Sequence, residues 1–325
     1  MDILVAGASG AIGRRLVPLL VASGHRVVAT TRTPAKLNGL RAEGVEPMLM
    51  DGLNRDSVLR AISAAQPDAI VHQMTSLPPL LNLKKFDDEF IVTNRLRSEG
   101  TSHLLTAAAM CGTRRLVSQS YTGWPNERQG GRVKTEADPL DDDPPPAMAG
   151  TLEAIRVLEQ LTVNTPGVTG LALRYGSLYG PGTAIASDGA MVELIRHRRF
   201  PLVGAGAGVW SFIHVDDAAR ATRAAIERGP AGIYNIVDDE PAEVAAWLPY
   251  LADTVGAKPP LPLPSWLARL AVGEAGMMMM TTVRGSSNEK ARQLLRWQPE
   301  YATWREGFRR GLAAALPTID LARAI

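Results

Sequence analysis

The sequence predicts an α/β fold, a doubly wound parallel sheet with a smaller, interleaved C-terminal lobe. Three observations predict it. Short apolar runs rich in β-branched residues alternate with longer amphipathic segments through the first half of the chain. The first run is followed at once by closely spaced glycines and a helical pattern. Beyond residue 182 the pattern becomes irregular and richer in glycine and proline, yet one strand, helix, strand unit returns within it.

In chain order, strands are read at residues 3–6, 26–31, 69–72, 115–118 and 170–174. Their nearly continuous apolar character is that of strands covered by helices on both faces. Helical stretches at 191–198, 243–255 and 304–315 belong to the smaller lobe, whereas 212–237 reads as strand, helix and strand returning to the first. The expected division is 1–180 plus 212–237 for the larger domain, 181–211 plus 238–317 for the smaller lobe, and 318–325 as a tail.

The chain has 325 residues, 46% hydrophobic and 21% charged, with 35 Lys+Arg against 33 Asp+Glu for a formal charge of +2. That is a globular composition. It leaves no concentrated cationic excess for nucleic acid, so no nucleic-acid partner is expected. The single cysteine, Cys111, excludes an intrachain disulfide and a cysteine-rich metal site, and a cytoplasmic location is expected. The start of the chain does not read as a signal peptide. The apolar stretch 261–283 contains Pro262, Pro264, Arg269 and Glu274, so no membrane span is expected either.

The most informative segment is Gly7-Ala8-Ser9-Gly10-Ala11-Ile12-Gly13, between the first strand and a helical pattern through Leu16, Leu19 and Leu20. Glycines there let the backbone approach a pyrophosphate, whose charge meets free N–H groups and the positive end of a helix dipole. The same glycines can also serve a tight turn; their position between strand and helix favours nucleotide binding. The second strand ends at Thr30-Thr31-Arg32-Thr33, with no carboxylate for ribose hydroxyls. Arg32, with Thr31, Thr33 and Lys36, instead suits a 2′-phosphate, which favours NADP(H) over NAD, although Arg32 and Lys36 also read as ordinary surface charges. Asp51-Gly52-Leu53 follows the third strand and is placed at the adenine edge, and Gln73 and Tyr175 complete the candidate cofactor-binding set.

Several separated motifs resemble the extended short-chain dehydrogenase/reductase family, and the resemblance spans nearly all of the chain. Gly7, Gly10 and Gly13 have its G-x-x-G-x-x-G spacing. Asp51-Gly52-Leu53 resembles its adenine-contacting turn. Leu173-Arg174 leading to Tyr179-Gly180-Pro181-Gly182, Phe212-Ile213-His214-Val215-Asp216-Asp217-Ala218-Ala219, Tyr234-Asn235-Ile236 and Leu295-Arg296-Trp297-Gln298-Pro299 resemble its later elements. The resemblance implies a Rossmann-like sheet and nicotinamide chemistry. It also implies a Ser/Thr that holds a substrate carbonyl and a Tyr-x-x-x-Lys pair that moves its proton. That pair is missing: with Glu159 aligned to the family's acidic residue, Thr151 stands at the tyrosine position and Ile155 at the lysine position. Isoleucine carries no charge to lower a neighbour's pKa, and a threonine hydroxyl is too weak an acid to replace a perturbed phenol. Ser120 and Tyr121 fall near the carbonyl-binding position, so Ser120, Tyr121 and Thr151 are the candidate catalytic residues.

Members acting on sugar nucleotides carry an arginine before the Phe-x-x-V-D element; this chain has Trp210-Ser211. An indole in place of a phosphate clamp points to a flatter, less charged ligand. Met74, Trp124, Met148, Met191 and Trp210, with Leu77, are candidate lining residues, each of which also suits core packing. The methionines at 277–280 and the cations Arg196, His197, Arg198 and Arg199 read as packing and as a solvated helix end. The acidic run Glu136, Asp138, Asp141, Asp142 and Asp143 reads as a solvated loop or a lid. No metal-ligand spacing is present and His214 belongs to a structural motif, so no metal is assigned. The expected activity is NADPH-dependent ketoreduction of a sizeable aromatic or polycyclic small molecule in specialised metabolism, by a monomer or homodimer. Its proton would come from Ser120, Tyr121, Thr151, water or the substrate. The alternatives are a nucleotide-sugar epimerase/dehydratase and a non-catalytic NADP(H)-binding sensor.

Overall fold

The computed structural model describes residues 1–42 and 44–313; the expected helix end at 315, the boundary at 317 and the tail 318–325 lie outside the described residues. Five strands, β1 (Asp2–Ala6), β2 (Arg26–Thr31), β3 (Glu46–Leu49), β4 (Ala69–His72) and β5 (Arg115–Tyr121), join Thr169–Tyr175 and Gly232–Ile236 in a seven-stranded sheet. The order from one edge is Gly232–Ile236, Thr169–Tyr175, β5, β4, β1, β2, β3, and every pairing is parallel.

Alternation along β1 divides the core. Ile3 and Val5 join one apolar cluster with Leu16 and Leu20 of helix α1 (Gly13–Ala22) and Ala221 and Ala225 of the Val215–Arg228 helix. Leu4 and Ala6 point the other way, into a cluster with the helices that cover the second face. Between α1 and those helices lies the short α2 (Leu37–Ala42); the second face then takes α3 (Arg55–Ala65), α4 (Phe86–Arg95), α5 (Thr101–Cys111) and α6 (Ala149–Asn164). The chain runs outward from β1 through β2 to β3, then returns to place β4 on the far side of β1. That reversal parts the loops after β1 and β4 and opens a crevice at the carboxyl ends of the strands.

β3 has no apolar run to announce it, because it contains Glu46 and Pro47; a proline is tolerated there because β3 is an edge strand. Helices α4 and α5 are continuous through a π turn at Leu96–Gly100. A separate apolar cluster gathers Tyr179, Phe212, Trp247, Trp304 and Phe308 from the later part of the chain. Within it Phe212–His214 pairs in parallel with Ser177–Tyr179. Met278 and Met280 are buried in the Ser265–Thr281 helix, the packing role read for the methionine run.

The acidic run is only partly a solvated loop, because amides and a cation are supplied to three of its residues. Glu136 accepts from the Asn235 N–H at 2.6 Å, Asp138 from the N–H and hydroxyl of Thr135, and Asp141 from Arg128 Nε at 2.8 Å. Asp142 and Asp143 remain exposed. No helix among the described residues is long and apolar enough to cross a membrane.

Candidate active site

The crevice is a cavity of about 230 Å³, lined by Gly7, Ser9 and Gly10 from the first loop, by residues 30–33 and Lys36, and by Asp51, Gly52, Leu53, Gln73 and Met74. Gly7 has φ 91°, and a Cβ there would lie 2.6 Å from the Gln73 carbonyl oxygen; a Cβ on Gly13 would lie 2.5 Å from the carbonyls of Gly7 and Ala8. Only glycine permits both approaches. The loop is braced by Gly10 N–H to Gly7 O at 3.0 Å and Arg14 Nε to Ser9 O at 3.0 Å. Ala11 and Ile12 lead the chain into α1, with the Ile12 side chain in the core. No acidic residue occupies the first turn of α1, so its positive end faces the crevice uncompensated.

At the other end, Arg32 and Lys36 are exposed and form no ion pair among the described residues. Thr31 accepts the Thr33 N–H at 3.2 Å, shaping the turn that presents Arg32. Asp51 accepts the Leu53 N–H at 3.0 Å, and Gly52 lies under the sulfur of Met74, where a Cβ would come within 2.6 Å. Gln73 directs its Nε2 to the Tyr175 hydroxyl at 3.0 Å, and its buried Oε1 has no donor among the described residues. Tyr175 itself does not line the crevice. It shares the sheet face of Leu171 and Leu173, donates to Thr222 at 2.6 Å, and its hydroxyl pKa is pushed up to about 12 by burial.

The candidate catalytic residues part company. Ser118 and Ser120 face α6, where Thr162 donates to Ser118 at 3.0 Å and Ser120 donates to Glu159 at 2.7 Å. Glu159 also takes a two-pronged bond from Arg174, both arms 2.7 Å, so the Ser120 hydroxyl is tied into a buried ion pair rather than offered to a ligand. Tyr121 ends the strand on the opposite side, 3.2 Å from the Ser177 hydroxyl, its ring tilted by 32° to that of Trp124 at 6.5 Å between centroids. Burial raises its pKa, against the opposing pull of the Ser177 bond and the Arg97 charge.

Thr151 is buried and fully engaged. Its hydroxyl donates to Asp87 at 2.5 Å and accepts from Asn94 Nδ2 at 3.0 Å, while Asp87 also receives the N–H groups of Gly150 and Thr151 at 2.9 and 2.8 Å. Asp87 therefore caps α6, and the threonine proton belongs to that cap. Thr151→Val is expected to cost about 1 to 3 kcal/mol of stability while kcat stays in the wild-type range. A fall in kcat at unchanged melting temperature would instead assign proton transfer to Thr151. Ile155 is fully buried beside Met148, Leu152, Phe86 and Trp124.

Of the lining candidates, Met74 belongs to the crevice wall, while Trp124 and Met148 pack with Phe86, Phe90 and Tyr121. Met191 packs on the later cluster and Leu77 is exposed. Trp210 touches both groups, its indole N–H bonded to the Met279 carbonyl at 2.7 Å. His214 is structural: it accepts the Asp216 N–H, bonds Gly311 O at 3.0 Å, and burial holds its pKa down.

Three residues that the motif reading passed over matter most. Arg97, in the π turn, is buried, and its only bonded acceptor among the described residues is the Asn94 side chain at 3.2 Å. Its guanidinium lies 5.4 Å from the Phe90 ring centroid, and burial lowers its pKa to about 10, opposed by the charges of Glu159 and Tyr121. His72 donates from Nε2 to the Leu96 carbonyl at 3.1 Å and accepts the Met74 N–H on Nδ1 at 3.2 Å, pinning the π turn to the crevice wall. The third is Asp87. Arg97 had a visible signal, since it falls on the stripe of Phe86, Phe90 and Thr93, where a charge is out of place.

Comparison with known proteins agrees with this geometry. A family model described as the NAD dependent epimerase/dehydratase family matches residues 3–237. A Streptomyces protein named 3-diazoavenalumate denitrifying reductase is 44% identical over 311 residues, covering 95% of this chain and 100% of the relative. A Stigmatella aurantiaca enzyme, 4-hydroxy-2-methyl-3-oxo-4-farnesyl-3,4-dihydroquinoline-1-oxide ketoreductase, is 29% identical over 262 residues, 79% of this chain and 74% of the relative. Among solved structures, a human epimerase family protein with NADPH superposes with TM-score 0.72 at 20% identity, covering 95% of this chain and 98% of that one. UDP-glucose 4-epimerase from Thermotoga maritima gives 0.73 at 20% identity, covering 96% and 97%.

Proposed function

Because this chain belongs to the NAD dependent epimerase/dehydratase family, we propose that it is an NADP(H)-dependent reductase that acts on an aromatic diazo compound and uses no protein proton relay. The observation that carries this reading is the state of residues 151 and 155: the one hydroxyl is consumed by Asp87, and the other side chain is a buried isoleucine.

The crevice fits the dinucleotide. The Gly7 to Gly13 amides and the start of α1 suit a pyrophosphate, the unpaired Arg32 and Lys36 a 2′-phosphate, and the orphaned Gln73 Oε1 a hydrogen-bond donor. When bound there, the reduced cofactor supplies a hydride. Arg32→Ser is expected to raise KM for NADPH about tenfold to hundredfold, the worth of a charged hydrogen bond, and to leave KM for NADH unchanged. Equal shifts for both dinucleotides would remove Arg32 from the 2′-phosphate site.

The acceptor follows from proton accounting. A ketone that receives hydride becomes an alkoxide and needs a proton from a positioned acid. An aromatic carbon bearing a diazonium group needs none: a C–H bond forms, the C–N bond breaks, and its electron pair leaves with N₂. The 44% identical relative is named for such a denitrifying reduction. Ketoreduction of a polycyclic aromatic substrate is the second reading, favoured by the Tyr121 hydroxyl at the strand end and by the name of the Stigmatella relative. Sugar-nucleotide chemistry fits less well, because it cycles a proton and Trp210 stands where the diphosphate would need a cation. The test supplies NADPH with aryl diazonium acids and, separately, polycyclic ketones. Oxidation of NADPH matched mole for mole by N₂ in the headspace supports the first reading, and oxidation with ketones alone replaces it with the second.

A further inference from the structure

We propose that Arg97 holds an anionic oxygen of the aromatic substrate, a phenolate or a carboxylate, and thereby selects aromatic oxyanions. The inference rests on the aromatic substrate of the preceding reading and adds the group by which it is recognised.

A buried guanidinium is ordinarily matched by a carboxylate, because an uncompensated charge in a low-dielectric site is costly. Arg97 retains 8% exposure and has no carboxylate within ion-pair distance among the described residues. Glu159 is near enough to influence it, but that carboxylate is already occupied by both arms of Arg174 and by Ser120. Asn94 gives Arg97 one neutral acceptor, and Asn94 is itself oriented by Thr151, which is oriented by Asp87. Among the described residues, one edge of the guanidinium is fixed and most of its five donors have no protein acceptor.

The second, independent observation is the backbone. Leu96–Gly100 is a π turn, a wide turn that recurs at functional sites. Leu96 lines the crevice against Gly52, and its carbonyl is fastened by His72, so the turn is pinned in place and sets Arg97, the next residue, beside Phe90 and Asn94. The surroundings are aromatic: Phe90 under the guanidinium, with Tyr121 and Trp124 in the same apolar cluster. A planar fork of N–H donors among rings suits an oxygen anion carried on a ring, bound through two parallel hydrogen bonds. It suits a diphosphate poorly, since the guanidinium is flanked by rings.

The test is equilibrium binding to the NADP⁺-loaded enzyme, without turnover, so that it succeeds or fails independently of N₂ release. The probes are 4-coumarate, its methyl ester, 4-methoxycinnamate and the doubly neutral methyl 4-methoxycinnamate, followed by tryptophan fluorescence and calorimetry. Wild-type enzyme is expected to bind 4-coumarate about tenfold to hundredfold more tightly than the doubly neutral ester. The single derivative that loses this advantage identifies the oxygen. If only the methyl ester loses it, Arg97 reads the carboxylate; if only the methoxy acid loses it, the phenolate. Arg97→Gln is expected to abolish the preference while Kd for NADPH is unchanged, and Arg97→Lys to restore part of it. Equal affinity for all four probes in the wild-type enzyme overturns the proposal without recourse to a variant. So does an Arg97→Gln enzyme that keeps the preference, or one whose loss appears in NADPH affinity alone.

Discussion

Replacing Glu159 by leucine is expected to lower the unfolding free energy by about 3 to 5 kcal/mol, the largest effect of any single change discussed for this protein. Glu159 and Arg174 are each 5% exposed, so solvent screens the pair little, and Ser120 donates to the same carboxylate. Leucine fills the volume but strands the guanidinium of Arg174 in the layer between α6 and the sheet. Much of the cost is that stranded charge, so Glu159→Leu combined with Arg174→Leu is expected to recover most of the loss in urea unfolding. Additive losses in the double variant would show that the two side chains contribute independently, with no stranded charge behind the cost. The pair also holds the end of β5, from which Tyr121 projects, so catalytic defects in the single variant are expected to track its loss of stability.

Acidification provides the second large effect. Burial, reinforced by the positive charge of Arg97 and only partly offset by the Leu96 bond, holds the His72 pKa at about 4, against 6.5 for an unperturbed imidazole. In the unfolded chain His72 takes up its proton below about pH 6.5, but in the folded chain only below about pH 4. The stability contributed by the neutral ring is therefore complete above pH 6.5 and is lost as pH falls through that window. The loss reaches roughly 3 kcal/mol, at 1.36 kcal/mol for each unit of pKa difference. Urea titrations between pH 7.5 and 4.5 measure it directly. His72→Gln, which cannot titrate, is expected to show a shallower decline by this amount. Parallel declines for the two proteins would mean that other groups carry the acid sensitivity.

What could be read from the chain in advance was whatever depends on neighbours in sequence. β1, β2, β4, β5 and the Thr169–Tyr175 strand announce themselves as apolar runs, and Gly7, Gly10 and Gly13 lie in the strand-to-helix turn where a phosphate site is expected. β3 was read only as the strand before Asp51, without bounds, because Pro47 and Glu46 interrupt its apolar run, and only its place on the sheet edge makes that sequence acceptable. The catalytic candidates failed to resolve for a different reason. Ser120 and Tyr121 are adjacent, so they point to opposite sides of the strand, and one residue of register separates a hydroxyl bound to Glu159 from one that meets Ser177. Thr151 looked free because Asp87, its partner, lies 64 residues earlier. Tyr175 was read into the cofactor-binding set, whereas the pleat turns it toward Thr222. Met74, read as a substrate contact, forms the crevice wall over Gly52.

The π turn bears on how such a site can be altered without rebuilding its scaffold. It holds one residue more than the α turn it stands in for, so the helical segments before and after it keep their phase. Phe86 and Phe90 meet one apolar cluster while Leu104 and Leu105 meet another. Deleting a residue elsewhere along residues 86–111 would rotate everything beyond it by about 100° and pull one of those pairs out of its cluster. Deleting one within Leu96–Gly100 would leave both clusters seated and change only which side chain stands beside Asn94. Insertion and deletion at that point are thus a route by which descent can exchange the recognition group while the sheet, the crevice and both cores go on unaltered.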